Sequence, residues 1–229
     1  MSRIVKEPDV RREEILTAAQ RLFYSKGYDK TSVRDIIDSV GIAKGTFYHY
    51  FESKHALLEA IAEKLIGQSE TLMRAVAADT SLDAIQKMLR LYLVIGRWKT
   101  GNREQMIMFL KAMYQDGNIL LRHKLKRLGL MSARPVISGI IKQGIEEGVF
   151  DVEDGDLMSL AEIFMQTSQS FSEALGNIIL NADQYENPAQ TAKDKKIAYE
   201  RAMERILGAK KGSLPLFDTT TIDQWFVEK

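Results

Sequence analysis

The sequence predicts an all-α protein, with a small N-terminal head of three helices in helix-turn-helix arrangement followed by a larger helical domain. Three observations lead there. Apolar residues recur at three- and four-residue spacing through most of the 229 residues, the period of a helix with one buried face. No stretch alternates apolar and polar residues as a half-buried strand would. Gly, Asn, Asp and Pro collect in short clusters between the periodic runs, where turns belong. The expected divisions are residues 1–53 for the head, 54–208 for the helical domain and 209–229 for a C-terminal tail.

Residues 1–9, with Arg3, Lys6, Glu7 and Asp9 around Pro8, are expected to form an arm ahead of the first helix. From Val10 to Lys26, the positions Ile15, Leu16, Ala19, Leu22 and Phe23 make one apolar face, and Gly27 follows as a stop. Ser32 and Asp35 have capping-box spacing, so a second helix starts near Ser32. Val33, Ile36, Ile37 and Val40 form its buried stripe, and Gly41 supplies the positive φ of a tight exit. A third helix covers Ala43 to Phe51. At about 100° per residue, Phe47, Tyr50 and Phe51 share one side of it and Gly45, Tyr48 and His49 the other, with Lys44 and Thr46 at the edges. Ser53 then caps a fourth helix, which starts at Lys54 and runs through Leu57, Leu58, Ile61 and Leu65. The third helix thus has an apolar back and a polar front of a width that fits a DNA groove.

Beyond Ala77 the expected helices are Leu82–Gly96, Arg103–Tyr114, Ile119–Leu128, Ser132–Glu147, Gly155–Leu180 and Ala192–Leu207. After Gly208 the composition turns to AKKGSLPLFDTTT, an extended tail, before Ile222, Trp225 and Phe226 return as apolar residues expected to dock on the protein's own surface.

Several chemistries are excluded. With no cysteine there is no disulfide, thiol catalysis or cysteine-held metal. The only histidines, His49, His55 and His123, have neither the i, i+4 spacing of a helical metal site nor an HExxH context. Asp151, Glu153, Asp154 and Asp156 fail as a calcium loop, because Gly155 falls at position five and position twelve holds no glutamate. Gly139, Gly144 and Gly148 form no phosphate loop and suit close packing or helix ends. No enzyme and no cofactor are expected. The N-terminus has no apolar signal core, and the densest apolar run, Leu91 to Gly96, is far shorter than the roughly 20 residues that span a bilayer. An intracellular, cytoplasmic protein is the expectation.

Net charge is +1 over the whole chain, so any nucleic-acid contact rests on a local patch. Residues 1–55 carry ten Lys and Arg against eight Asp and Glu, and the remainder 22 against 23. The head is the more basic part. A second basic cluster, Arg122, His123, Lys124, Lys126 and Arg127, suits a solvated face, with an anion anchor or a second DNA contact as the alternative.

The run FYSKGYDKTSVRDIIDSVGIAKGTFYHYFESKHALL resembles the DNA-binding domain of the TetR family of bacterial transcriptional regulators. The resemblance lies in the Gly27 stop, the Thr31 and Ser32 entry, the Gly41 turn, the stretch Lys44 to Phe51, and Ser53-Lys54 opening the fourth helix. Ala43 stands where the family often has Ser or Thr. The resemblance implies a homodimeric, ligand-responsive repressor, placed on the bacterial nucleoid when bound to double-stranded operator DNA. It also implies a second domain that dimerises and takes a small-molecule effector. By this likeness Thr31, Ser32, Lys44, Gly45, Thr46, Tyr48, His49 and Lys54 are the candidate DNA contacts, with Arg34 as a further one. The alternative is a DNA-bound scaffold of the same fold whose second domain binds a protein.

Methionine and aromatic side chains adapt to irregular apolar ligands. The candidate effector residues are accordingly Met88, Tyr92, Trp98, Met106, Phe109, Met113 and Met165, with Gln166 and Gln169 as polar contacts. The helix of Gly155–Leu180 is apolar around more than one face. With the Ala192–Leu207 helix it is expected to build a four-helix dimer interface.

Overall fold

The computed structural model describes residues 7–152 and 155–227, among which ten α-helices and two 3-10 turns occur and no strand. The expected arm at residues 1–6, and Glu153 and Asp154 of the acidic loop, lie outside the described residues.

The helices are α1 (Pro8–Lys26), α2 (Val33–Val40), α3 (Lys44–Tyr50), α4 (Lys54–Ala77), α5 (Ala84–Gly101), α6 (Arg103–Met113), α7 (Ile119–Glu146), α8 (Leu157–Leu180), α9 (Pro188–Ile206) and α10 (Thr219–Asp223). They divide into two compact units: residues 1–66 with 108–125, and residues 67–107 with 126–229. The helices α4, α6 and α7 therefore contribute residues to both.

The first unit is built around Ile15, Leu16, Ala19 and Phe23 of α1, Ile36 of α2, Phe47 and Phe51 from α3 and its end, and Leu57 and Ile61 of α4. Local chemistry sets these elements. Both halves of the Ser32/Asp35 capping box are present. Gly41 ends α2 in the left-handed conformation, with φ 70° and ψ 40°, where a Cβ would be strained. Ser53 accepts from the Ala56 amide at 3.0 Å and so caps α4.

The second unit has its core where Met88 and Leu91 of α5, Ile137, Ile140 and Ile141 of α7, Ala161 and Phe164 of α8 and Met203 of α9 meet. Two of the expected helices, Ile119–Leu128 and Ser132–Glu147, are one continuous helix, α7, with Gly129 and Pro135 inside it. The buried row Val136, Ile137, Ile140 and Ile141 supplies packing that outweighs these two weak positions. Similarly, α5 continues through Trp98 to Gly101, and Asn102 ends it by turning its side-chain amide onto the Trp98 carbonyl at 2.8 Å. Asp156 caps α8, accepting from the Met158 and Ser159 amides.

Gly144 lets α7 approach the chain that follows it, since a Cβ there would lie 2.2 Å from the Phe150 ring. Gly148 ends the helix region at φ 69°, whereas a Cβ at Gly139 would meet nothing. Packing thus explains Gly144 and not Gly139.

The chain after Gly208 docks on the second unit, with Leu214, Leu216, Ile222 and Trp225 buried. Among the described residues no helix is long and apolar enough to cross a membrane.

Candidate nucleic-acid interface

The third helix has only seven residues, and two buried aromatics hold it in place. Phe47 is 0% exposed and Phe51 5%. Arg12 of α1 lies over the Phe51 ring, 5.1 Å from its centroid. Ala43 provides no side-chain cap, an omission worth about 1 kcal/mol. Burial of the two phenylalanines, at about 1.5–3 kcal/mol each, outweighs it.

Lys44, Gly45, Tyr48 and His49 on the opposite side are all exposed, and Thr46 is half-buried between the faces. The Lys44 ammonium lies 5.9 Å from the Tyr48 ring centroid, and the Tyr48 ring packs edge-on to Phe47 at 5.3 Å. A Cβ added to Gly45 would find nothing within 4 Å. The front of α3 is therefore open, polar and flat at its glycine.

The other candidate contacts sit differently. Thr31 is buried, and its hydroxyl donates to the Gly27 carbonyl at 2.8 Å and the Leu22 carbonyl at 3.2 Å. Its side chain ties the end of α1 to the start of α2. Ser32 is exposed and donates to the Asp35 carboxylate at 2.7 Å. Lys54 turns its ammonium inward to the Tyr28 carbonyl at 2.8 Å, with the Tyr28 ring centroid 4.3 Å away. Arg34 is strongly exposed and 3.8 Å from Asp38, an i, i+4 pair on the surface of α2.

Sequence reasoning passed over Tyr28, which stacks edge-on against Phe23 at 5.1 Å and receives Lys54 from α4. The aromatic two residues past the Gly27 neighbour Lys26 was its only local signal. The Lys26–Asp35 ion pair at 2.7 Å, joining α1 to α2, was also unforeseen.

The hydrogen bond from Lys26, followed by those from the Ser32 backbone and hydroxyl, holds the Asp35 carboxyl well below the usual carboxylate range. A group whose folded pKa is depressed contributes stability above its unfolded pKa, near 3.9, and loses it as pH falls through the folded value. Asp35→Asn is therefore expected to lower thermal stability at neutral pH and to flatten the acid limb below about pH 4. A melting-temperature series against pH checks this, and an unchanged acid limb contradicts it.

The second basic cluster is largely engaged within the units. Lys124 pairs with Glu59, Lys126 pairs with Glu173, and Arg122 lies 4.9 Å from the Tyr114 ring centroid. The candidate effector residues divide. Met88, Tyr92, Trp98, Met106, Met165, Gln166 and Gln169 belong to the second unit, and Phe109 and Met113 to the first. Met88 is fully buried, and Gln166 is exposed and donates to Glu162 at 3.2 Å. Burial raises the Tyr92 phenol above its ordinary pKa, partly offset by a hydrogen bond with Ser168. Among the described residues no group of three or more His, Asp or Glu is arranged to hold a metal.

An α2–turn–α3 pair on a shared aromatic core, with the polar face of the second helix outermost, is a helix-turn-helix head. Residues 15–61 match the model of the bacterial regulatory proteins, tetR family. An HTH-type transcriptional regulator of Bacillus subtilis (strain 168), YvdT, is 49% identical over 61 residues, 27% of this chain and 31% of that one. The HTH-type transcriptional repressor KstR2 of Mycolicibacterium smegmatis is 33% identical over 91 residues, 38% of this chain and 42% of that one. The chain thus spans less than half the length of these two relatives. A TetR-family regulator from Syntrophomonas wolfei superposes with a TM-score of 0.61 at 19% identity, covering 90% of this chain and 100% of that one. This last likeness concerns the fold. Residues 15–61 thus carry a DNA-binding domain like that of the tetR family of bacterial regulatory proteins.

Proposed function

We propose that this chain is a homodimeric repressor that sets two copies of α3 into successive major grooves of a palindromic operator and is released by a small-molecule effector. The observation that carries the reading is the two-faced α3, with Phe47 buried beneath it and Lys44, Gly45, Tyr48 and His49 exposed above. Bare glycine backbone allows close approach to base edges, while the lysine, the phenol and the imidazole reach phosphates or bases around it. Ser32 and the first turn of α4 after Lys54 lie at helix starts, where backbone N–H groups and the dipole favour phosphate. Thr31 and the Lys54 ammonium serve by holding the loop between α1 and α2 in position, not by touching DNA. The proposed functional division is residues 1–53 for the head, 54–208 for the effector and dimer domain and 209–229 for its tail, although the first compact unit runs on to Ile66 and takes in residues 108–125.

Dimerisation through α8 and α9 is supported by Ile163, 52% exposed, and Ile197, 48% exposed, one on each helix. Two-fold symmetry in the protein then asks for near two-fold symmetry in the site. The effector is proposed to bind among α5 and α8, where Met88, Tyr92 and Met165 pack around one core, and to act through α4, which runs unbroken from Lys54 to Ala77. By linkage, DNA must weaken effector binding by the same factor that effector weakens DNA binding.

Operator affinity is expected to fall steeply with salt, by roughly tenfold or more between 50 and 200 mM, because neutralised phosphates release counterions. Fluorescence anisotropy on duplexes selected by the protein measures this. A flat salt dependence contradicts the phosphate clamp.

A further inference from the structure

The C-terminal segment is attached to the second unit in an unusual way. Beyond Ala209, whose amide donates to the Glu204 carbonyl at 2.8 Å, side-chain carboxylates of α9 accept from its amides. Glu204 Oε1 accepts from the Gly212 amide at 2.7 Å and the Leu214 amide at 3.2 Å, and Glu200 Oε1 accepts from the Phe217 amide at 2.9 Å. Both glutamates are buried on α9. Farther along, Lys193 pairs with Asp223 at 2.6 Å, and the Arg103 guanidinium donates to the Trp225 carbonyl at 2.9 Å.

What the segment covers is apolar. The Phe217 ring lies 4.2 Å from the Phe171 ring on α8 and 5.2 Å from the Tyr92 ring on α5, the latter edge-on at 88°. It packs against both the main core of the unit and the smaller cluster of Phe171, Ile178, Ala192 and Ile222. Glycines in the left-handed region stand at its start, Gly208 at φ 58° and Gly212 at φ 83°. The first is held hard against the chain, since a Cβ there would lie 1.9 Å from the Asp151 carbonyl oxygen. The segment therefore has a fixed root, a second swivel point four residues on, and clasps made by side chains. Lifting it would interrupt none of α5, α8 and α9 and would leave Glu200 paired with Lys196 at 3.0 Å, while uncovering Leu214, Leu216, Ile222 and Trp225, which the closed segment buries.

We propose that residues 212–226 form a lid on the α5, α8 and α9 side of the second unit, and that Phe217 is its inner wall and a specificity-determining residue for amphipathic aromatic ligands that reach Tyr92. The assignment of the ligand site rests on the effector reading above; the lid motion does not. Glu200, Glu204 and Arg103 are its positioning residues. Closed, the lid puts an aromatic ring on Tyr92. Open, it offers a flat aromatic slot between Tyr92 and Phe171.

The chain has no cysteine, so one engineered pair can lock the lid. A Cβ at Gly96 of α5 would lie 3.3 Å from Thr221 Cγ2 on α10, within reach of a disulfide once both positions are cysteine. The full-length Gly96→Cys/Thr221→Cys protein is compared reduced and oxidised, by hydrogen exchange of the Gly212, Leu214 and Phe217 amides and by uptake of 1-anilinonaphthalene-8-sulfonate. In the reduced form these amides are expected to exchange together, at least about tenfold faster than α8 core amides such as that of Phe171. In the oxidised form they slow to the α8 rate and dye affinity falls by about tenfold or more. Phe217→Ala, needing no cross-link, is expected to speed the lid amides by a similar factor while the α8 amides keep their rate. Lid amides that exchange only at the α8 rate in the uncrosslinked protein overturn the lid. Dye uptake unaffected by both the cross-link and Phe217→Ala overturns the ligand assignment. Operator binding by the reduced and oxidised proteins is read separately, so failure of the DNA-binding reading is distinguishable from failure of the lid.

Discussion

Gly45→Leu is expected to leave the protein folded and to remove its operator binding. A Cβ added at this position meets nothing within 4 Å, and exchanging glycine for leucine in a helix adds up to about 0.5–1 kcal/mol of helical preference. The melting temperature should therefore hold or rise slightly. In the complex the same four carbons would stand between the α3 backbone and the groove floor. Backing α3 away to make room would lengthen every base contact proposed at Lys44, Tyr48 and His49 together. Affinity for a selected duplex is expected to fall by about 100-fold or more, the equivalent of two or more base contacts at about 1–3 kcal/mol each. A stable Gly45→Leu protein that binds like the wild type would mean that α3 is not the face against DNA.

Phe47→Ala acts from the other side of the same helix and is expected to do the reverse, removing the fold of the head before any contact is considered. Phe47 is fully buried between α1 and α4 residues, so its truncation should cost about 3–5 kcal/mol. That is comparable to the whole margin of a small unit, given total stabilities of about 5–15 kcal/mol for domains. The second unit has its own core and should keep its structure. Hydrogen exchange should show α1 to α3 amides losing protection while α8 amides retain theirs. Equal loss in both units, or none in either, contradicts the division into two cores.

These two substitutions sit where the sequence is most legible, and the reason is locality. The Ser32/Asp35 box, the Gly27 and Gly41 exits and the Phe47/Phe51 spacing each act within a few residues, so helix ends and faces could be read without knowing the rest of the chain. Long-range contacts were not legible in the same way. Lys54 was expected as a DNA contact at a helix start, but its ammonium bonds to a carbonyl 26 residues earlier. Thr31 was likewise expected as a DNA contact, and its hydroxyl is bonded inward to the end of α1. The expected break between Leu128 and Ser132 is absent, because the packing of Val136 to Ile141 carries α7 through it. The tail gave away its apolar anchors, Ile222 and Trp225, but not the two buried glutamates on α9 that receive its amides. Phe109 and Met113 share methionine and aromatic character with Met88 and Tyr92, yet they belong to a different compact unit. Composition cannot distinguish residues of one core from those of another.

Selection from a random duplex library tests the proposed interface most directly, with the wild-type chain and the Tyr48→Ala/His49→Ala variant run in parallel at one salt concentration. The wild type is expected to enrich a near-palindromic motif with half-sites about one helical turn apart. The variant, with its core residues untouched and its melting temperature unchanged, is expected to enrich no motif or one degenerate at the half-site centres. The same motif recovered at the same enrichment by both proteins would contradict the assignment of α3 as the reading element.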